Sequence, residues 1–239
     1  MILLADIGNT RIKLAHWDGA LHLREAVAHH DKPLEVFTSM PRLPITAAYI
    51  SLVPRLRDTA AWTQVLQHQC GVTPQFALAQ AQWRGLQNVY AEPEKLGVDR
   101  WLAMVALWHE RHTSFCVVSA GTAITVDRVD AQGQHQGGII APGFLTLQQT
   151  MLKTTVTPQT AQMSVDGHAL GSDSVSAIRQ GALFASLGAI EHAVGEAPGR
   201  CVITGGDAQL LLPHLQGIWE SREALVLEGL LALSATAKA

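Results

Sequence analysis

Asp6-Ile7-Gly8-Asn9-Thr10-Arg11-Ile12-Lys13 follows a short apolar run and gathers a carboxylate, a glycine, two small polar side chains and two cations. A chain leaving a strand through glycine lets backbone N–H groups approach phosphate oxygens closely. A carboxylate at the strand end suits Mg²⁺, directly or through water, because that hard cation prefers oxygen ligands. Arg11 and Lys13 sit two apart on a returning strand and so project to one face, where either can meet phosphate charge. Taken alone, the segment fits an ordinary β-hairpin with a polar turn about as well. An echo favours the chemical reading: Val117-Val118-Ser119-Ala120-Gly121-Thr122-Ala123 repeats strand, small polar residue, glycine and hydroxyl, with Ser119 in place of Asp6. The pair implies two similar halves facing one phosphate ligand. Thr125 and Asp127 share a strand face just downstream and can reach the same place.

A third glycine turn, Gly205-Gly206-Asp207, follows an apolar strand and precedes a helical pattern, a geometry that admits a flat base or a ribose. Gly137-Gly138 and Pro142-Gly143 flank another strand and fit either packing or a ligand cleft. The fourth element is Tyr90-Ala91-Glu92-Pro93-Glu94-Lys95-Leu96-Gly97-Val98-Asp99-Arg100-Trp101. Adjacent helical residues point about 100° apart. One reading makes Asp99 a general base and Arg100 a bidentate partner for a carboxylate. The other makes both solvated charges on an amphipathic helix, and spacing alone favours that one.

The elements that must position these groups are short. Apolar strands are expected at 2–6, 11–17 and 21–27, with Trp17-Asp18-Gly19 as a hairpin turn, then at 47–53 before Pro54. A helix at 57–68 and a strand at 72–77 follow. A helix from Glu92 to about Arg111, opened by Pro93 and acidic side chains, connects the halves. The plan then repeats: strands at 115–119, 123–129 and 135–141, a helix after Gly143, a long helix at about 173–194, a strand at 201–204, and helices near 207–213 and 222–235. The boundary is placed at 113/114, giving domains 1–113 and 114–239.

Composition sets limits. Apolar residues make up 48% of the 239 residues and charged residues 15%, enough for a core in each half. A net charge of −3 without a basic stripe argues against nucleic acid. Cys70, Cys116 and Cys201 are too scattered for a disulfide framework or zinc knuckle. The apolar N-terminal run, interrupted at Asp6, is too short for a signal or spanning segment, so a cytoplasmic protein with no membrane association is expected. There is no G-x-x-x-x-G-K-[ST] loop and no G-x-G-x-x-G turn. The histidines, including His29-His30 and the pair His109 and His112, read as solvated or core-edge residues, and the tryptophans as core or interface.

Together these residues resemble the type III pantothenate kinases of the acetate kinase/sugar kinase/Hsp70/actin superfamily. The likeness rests on Asp6-x-Gly8-Asn9-Thr10 with Lys13, on Tyr90-x-x-Pro93-x-x-Leu96-Gly97-x-Asp99-Arg100-Trp101, and on Gly121-Thr122-Ala123-x-Thr125-x-Asp127. Gly137-Gly138-x-x-x-Pro142-Gly143, Thr204-Gly205-Gly206-Asp207 and Leu227-Glu228-Gly229-Leu230 extend it over nearly the whole chain. The 90–101 segment is the most specific, and it reverses the odds on Asp99 and Arg100.

The resemblance implies an α/β protein of two RNase H-like (actin-like ATPase) domains, each a mixed five-stranded sheet with helices and with ATP held between them. The implied activity is phosphorylation of the 4′-hydroxyl of pantothenate, the first step of coenzyme A biosynthesis, in a homodimer. It makes Asp99 the catalytic base and places Tyr90, Gly97, Val98, Arg100 and Ser174 around pantothenate. Asp6, Ile7, Gly8, Asn9, Thr10, Arg11, Lys13, Gly121, Thr122, Gly205 and Gly206 would surround ATP, with Asp6 toward Mg²⁺. Ser119 departs from the family, most of which has Asp there at a site for a monovalent cation, K⁺ or NH₄⁺. Serine predicts that this site is weakened or lost. A non-catalytic accessory protein that kept the kinase fold is the alternative.

Overall fold

A computed structural model describes residues 1–24, 27–28, 37, 44–53, 58–155, 167, 169–196 and 199–236. The chain divides into two units, Met1–Arg111 with Ala224–Ala239, and His112–Glu223. The expected second domain, 114–239, therefore gives up its tail to the first unit. Pro54, His29 and His30 lie outside the described residues.

The first unit is built on strands β1 (Ile2–Ile7), β2 (Arg11–Trp17), β3 (Leu21–Leu23), β4 (Val27–Ala28), β5 (Ala47–Leu52) and β6 (Gln75–Phe76). Their order is β3-β2-β1-β5-β6, with β4 also pairing β2; β1 runs antiparallel to β2 and parallel to β5. Alternation along β1 sorts its side chains between two cores. Leu3, Ala5 and Ile7 join Ile12 and Leu14 against Trp62 and Leu66 of helix α1 (Thr59–Cys70). On the other face Leu4, Ala15 and Tyr49 meet Val98 and Leu102 of helix α2 (Val98–Glu110) and Leu227 and Leu230 of helix α6 (Leu225–Thr236). That apolar contact ties the C-terminal helix to the first unit. A small hairpin, β7 (Gln82–Trp83) and β8 (Leu86–Gln87), precedes α2, with the Trp108 indole donating to the Arg84 carbonyl at 3.0 Å.

In the second unit β9 (Phe115–Ala120), β10 (Ala123–Val129), β11 (His135–Pro142), β12 (Arg200–Thr204) and β13 (Trp219–Ser221) form one sheet in the order β11-β10-β9-β12-β13. Here β9 is antiparallel to β10 and parallel to β12. The two sheets thus share one plan: a central strand, an antiparallel hairpin to one side, parallel strands to the other. One face of the second sheet packs on Phe144 of helix α3 (Phe144–Thr154), on Leu183, Leu187 and Ile190 of helix α4 (Ser174–Val194), and on Leu211 of helix α5 (Ala208–Leu211).

Candidate active site

In the first sheet one transverse row carries charge. Register pairs Asp6 on β1 with Lys13 on β2 and with Ser51 on β5, so the three side chains share the face that α2 covers. Asp6 Oδ1 and Ser51 Oγ are sealed from solvent without a hydrogen-bond partner among the described residues. Burial pushes the Asp6 carboxyl up from 3.8 to about 6; the Asp99 carboxylate adds to the rise, while the Ser51 hydroxyl and the Lys13 ammonium oppose it. Two carboxylates from distant parts of the chain thus feel each other's charge, and burial is the larger cause of the rise at Asp6. Ser51 escaped sequence reasoning because it reads as one small residue in an apolar strand.

The segment that delivers Asp99 differs from the expected continuous helix. Pro93–Lys95 forms a short 3₁₀ turn, Leu96 and Gly97 are extended, and α2 begins only at Val98. Asp99 is the second residue of α2, at the positive end of its dipole, which favours an ionised carboxylate. Gly97 leaves room there: a Cβ would stand 2.7 Å from Asp99 Oδ1, so a side chain at 97 would push the carboxylate aside.

Arg100 is buried, only 5% exposed, so the reading as a solvated charge fails. Its Nη1 donates to the Tyr90 hydroxyl at 3.1 Å, and its guanidinium carbon lies 5.9 Å from the Tyr90 ring centre. Asn88, unnoticed in the sequence, fixes Tyr90 by accepting from its N–H and donating to the carbonyls of Gln80 and Pro93. The Leu227-Glu228-Gly229-Leu230 motif acts from behind. A Cβ on Gly229 would come within 2.0 Å of the Leu102 carbonyl oxygen, so only glycine lets α6 seat against the helix bearing Asp99 and Arg100.

The β1–β2 turn is closed by the Gly8 N–H donating to the Arg11 carbonyl at 3.0 Å. That amide therefore builds the turn, and exposed Asn9, Thr10 and Arg11 form its outward surface. The Ile7 and Val98 side chains belong to the two cores, which leaves their backbone as the part able to meet a ligand.

In the second unit the matching row is neutral: Ser119 on β9 pairs with Thr125 on β10 and Thr204 on β12. Three loops converge beyond its end. The Thr122 carbonyl accepts from the Gly143 N–H and the Thr146 hydroxyl, and the Ala120 carbonyl accepts from the Asp207 N–H. Gly121-Thr122 and Gly205-Gly206 therefore lie on adjoining loops, Thr122 and Gly206 exposed. Asp127 does not open onto this surface. It is buried, with Oδ1 2.9 Å from His135 Nε2, and acts as a packing pair. Ser174 is the exposed first residue of α4, whose N-terminus Asp173 caps by accepting from Val175 and Ser176 N–H groups.

The donor set fits a hard divalent cation at Asp6. A sealed carboxylate oxygen that also feels the charge of a second carboxylate gains from a cation what it has lost from water.

A family model described as type III pantothenate kinase matches residues 2–196. A type III pantothenate kinase of Nitrosococcus oceani is 34% identical over 96% of this chain and 92% of its own length. Among solved structures, the activator of the 2-hydroxyisocaproyl-CoA dehydratase from Clostridium difficile, with bound ADPNP, has a TM-score of 0.56 at 10% identity, covering 99% of this chain and 96% of that one. A Campylobacter jejuni protein assigned to the Baf family of transcriptional activators reaches 0.67 at 18% identity, covering 99% and 100%. At such identities these two show the fold, that of the actin-like ATPases and sugar kinases. With its family model spanning most of the chain and a curated relative aligned nearly end to end, this chain belongs to the type III pantothenate kinase family.

Proposed function

We propose that the chain transfers the γ-phosphoryl group of ATP to the 4′-hydroxyl of pantothenate, the reaction that commits pantothenate to coenzyme A, with Asp99 as base. The electrostatic coupling of Asp6 to Asp99, with a buried Arg100 next to Asp99 on the same helix, carries this reading. Phosphoryl transfer asks a protein mainly for positioning and charge neutralisation. Arg100, held by Tyr90, binds the pantothenate carboxylate and sets the position of the 4′-hydroxyl. Asp99 takes the hydroxyl proton as the oxygen bonds to the γ-phosphorus and the bond to the β–γ bridging oxygen breaks, releasing ADP. The nucleotide contacts are assigned to Asn9, Thr10, Arg11 and Lys13 and to Gly121, Thr122, Gly205 and Gly206. Asp6 holds Mg²⁺, directly or through water, and that ion when bound offsets phosphate charge.

Ser174 borders the pantothenate pocket, and the protein works as a cytoplasmic homodimer. No helix among the described residues is long and apolar enough to cross a membrane. Ser119, flanked by two threonine hydroxyls, offers a monovalent cation neutral oxygens only, so dependence on K⁺ or NH₄⁺ is weakened. An ADP-release assay with pantothenate, ATP and Mg²⁺ tests the assignment: turnover must require pantothenate and collapse in Asp99→Asn. ADP release indifferent to pantothenate, or no turnover at all, would favour an accessory protein that merely kept the fold.

A further inference from the structure

Away from this site, the β2–β3 hairpin assembles three side chains of another chemistry. His16 and His22 are register partners across the two strands, their rings stacked 4.7 Å apart and only 12° from parallel. Asp18, in the intervening turn, places Oδ1 2.9 Å from His22 Nε2 while also accepting from the Ala20 N–H. One ligand atom from each of the three lies within 4.8 Å of the others. His16 Nδ1 is sealed from solvent and has no hydrogen-bond partner among the described residues, so the cluster contains a nitrogen lone pair or N–H without a use.

We propose that His16, Asp18 and His22 form a binding site for a divalent transition-metal ion of the Zn²⁺ class. Two imidazoles and one carboxylate suit zinc-like ions, whereas Mg²⁺ and Ca²⁺ prefer all-oxygen sets. At Zn–N lengths of about 2.0–2.1 Å, the edges of a tetrahedron are roughly 3.3 Å. The present cluster is open by no more than modest side-chain rotations require. Asp18 Oδ1 already lies against His22 Nε2, so the carboxylate and the imidazole point at one place. The half-exposed position of His22 and Asp18 leaves the fourth ligand to water and gives the ion an entry path.

The site is separate from the phosphate-facing row. His16 is three residues from Lys13 on β2, an odd interval, and so projects from the opposite face of the sheet. Its occupancy clips β3, at the edge of the sheet, to β2. The metal and the kinase reaction are therefore independent properties of one unit, and their tests fail separately.

Equilibrium dialysis of the metal-stripped full-length protein against Zn²⁺ tests this, with Co²⁺ as a spectroscopic stand-in. The wild type should take up one ion and give visible d–d bands with Co²⁺. Losing an outer-shell hydrogen bond costs a metal site about 10–100-fold, so His22→Ala, which removes a direct ligand, should weaken binding by at least roughly tenfold. Asp18→Asn should weaken it in the same direction, and ADP-release activity at saturating substrates should be unchanged in both. Failure of the wild type to bind Zn²⁺, or binding that both variants retain in full, would overturn the proposal.

Discussion

Replacing Asp6 with Asn should stabilise the ligand-free protein at neutral pH while abolishing its use of Mg²⁺. The sign follows from linkage. Asp6 has a folded pKa raised above its ordinary value, from 3.8 to about 6, so between those limits the folded state holds a proton that the unfolded state has released. Stability from this group is fully present below about pH 4 and is lost as pH climbs through 6. A climb from 3.8 to about 6, at about 1.4 kcal/mol per pH decade, is worth roughly 3 kcal/mol. Asn keeps the shape and removes the charge, so the stability difference between variant and wild type should grow by about that amount from pH 4 to pH 8. For a chain of this size that is on the order of 6–12 °C in melting temperature.

The assay is thermal unfolding of both nucleotide-free proteins across that pH range, then again with ATP and Mg²⁺. The two melting curves should diverge as pH rises, and added Mg²⁺-nucleotide should restore the wild type far more than the variant. Burial is a larger cause of the raised pKa than Asp99. Asp99→Asn should therefore shrink the divergence without removing it. Parallel melting curves for wild type and Asp6→Asn would refute the argument that Asp6 is a costly buried charge awaiting a cation.

Asp99→Asn should keep nucleotide binding and lower kcat in the ADP-release assay by about 10²–10⁴-fold, the usual contribution of a general base. Arg100→Ala should raise KM for pantothenate by roughly 10- to 100-fold, the worth of a hydrogen bond to a charged group, with a smaller effect on KM for ATP. Gly229→Val should destabilise the first unit by about 1–3 kcal/mol in urea unfolding, because its side chain must displace the Leu102 carbonyl. It should also reduce kcat, since Leu102 shares a helix with Asp99. Ser119→Asp should strengthen K⁺ activation; K⁺ activation equal to that of the wild type would count against the cation reading.

The strand-turn-strand plan of both halves was legible because each strand alternates over a short, clearly bounded run. Asp6 and Lys13 could be placed together for the same reason, since a hairpin turn fixes register locally. Contacts that depend on distant packing were not legible. Nothing in the 90–101 segment says that α2 will bring Asp99 to Asp6; that follows from Leu102, Leu227 and Leu230 meeting Leu4 behind the sheet. The same contact draws the last helix into the first unit, against the simple order of the chain. Pro93 signalled a helix start correctly in kind but early in place, because the extended Leu96 and Gly97 intervene before the α-helix begins. Strands as short as β13, and the hairpin β7–β8, carry too few residues for a period to declare itself.

The two sheets show why one duplicated frame can hold unequal sites. Both place a transverse row on the central strand and its neighbours, Lys13–Asp6–Ser51 in one unit and Thr125–Ser119–Thr204 in the other. The backbone plan fixes where such a row sits; the side chains decide its charge. In the first unit a buried carboxylate raises the energy of the empty protein, and a bound cation would relieve it. In the second unit the row is three neutral hydroxyls, Thr204 buried and Ser119 and Thr125 half-buried, and it carries little electrostatic cost. Charge is thus concentrated in the unit that also carries Asp99 and Arg100. A carboxylate at the half-buried position 119, without a cation or a lysine beside it, would impose a smaller burden of the same kind on the second unit, and serine avoids it.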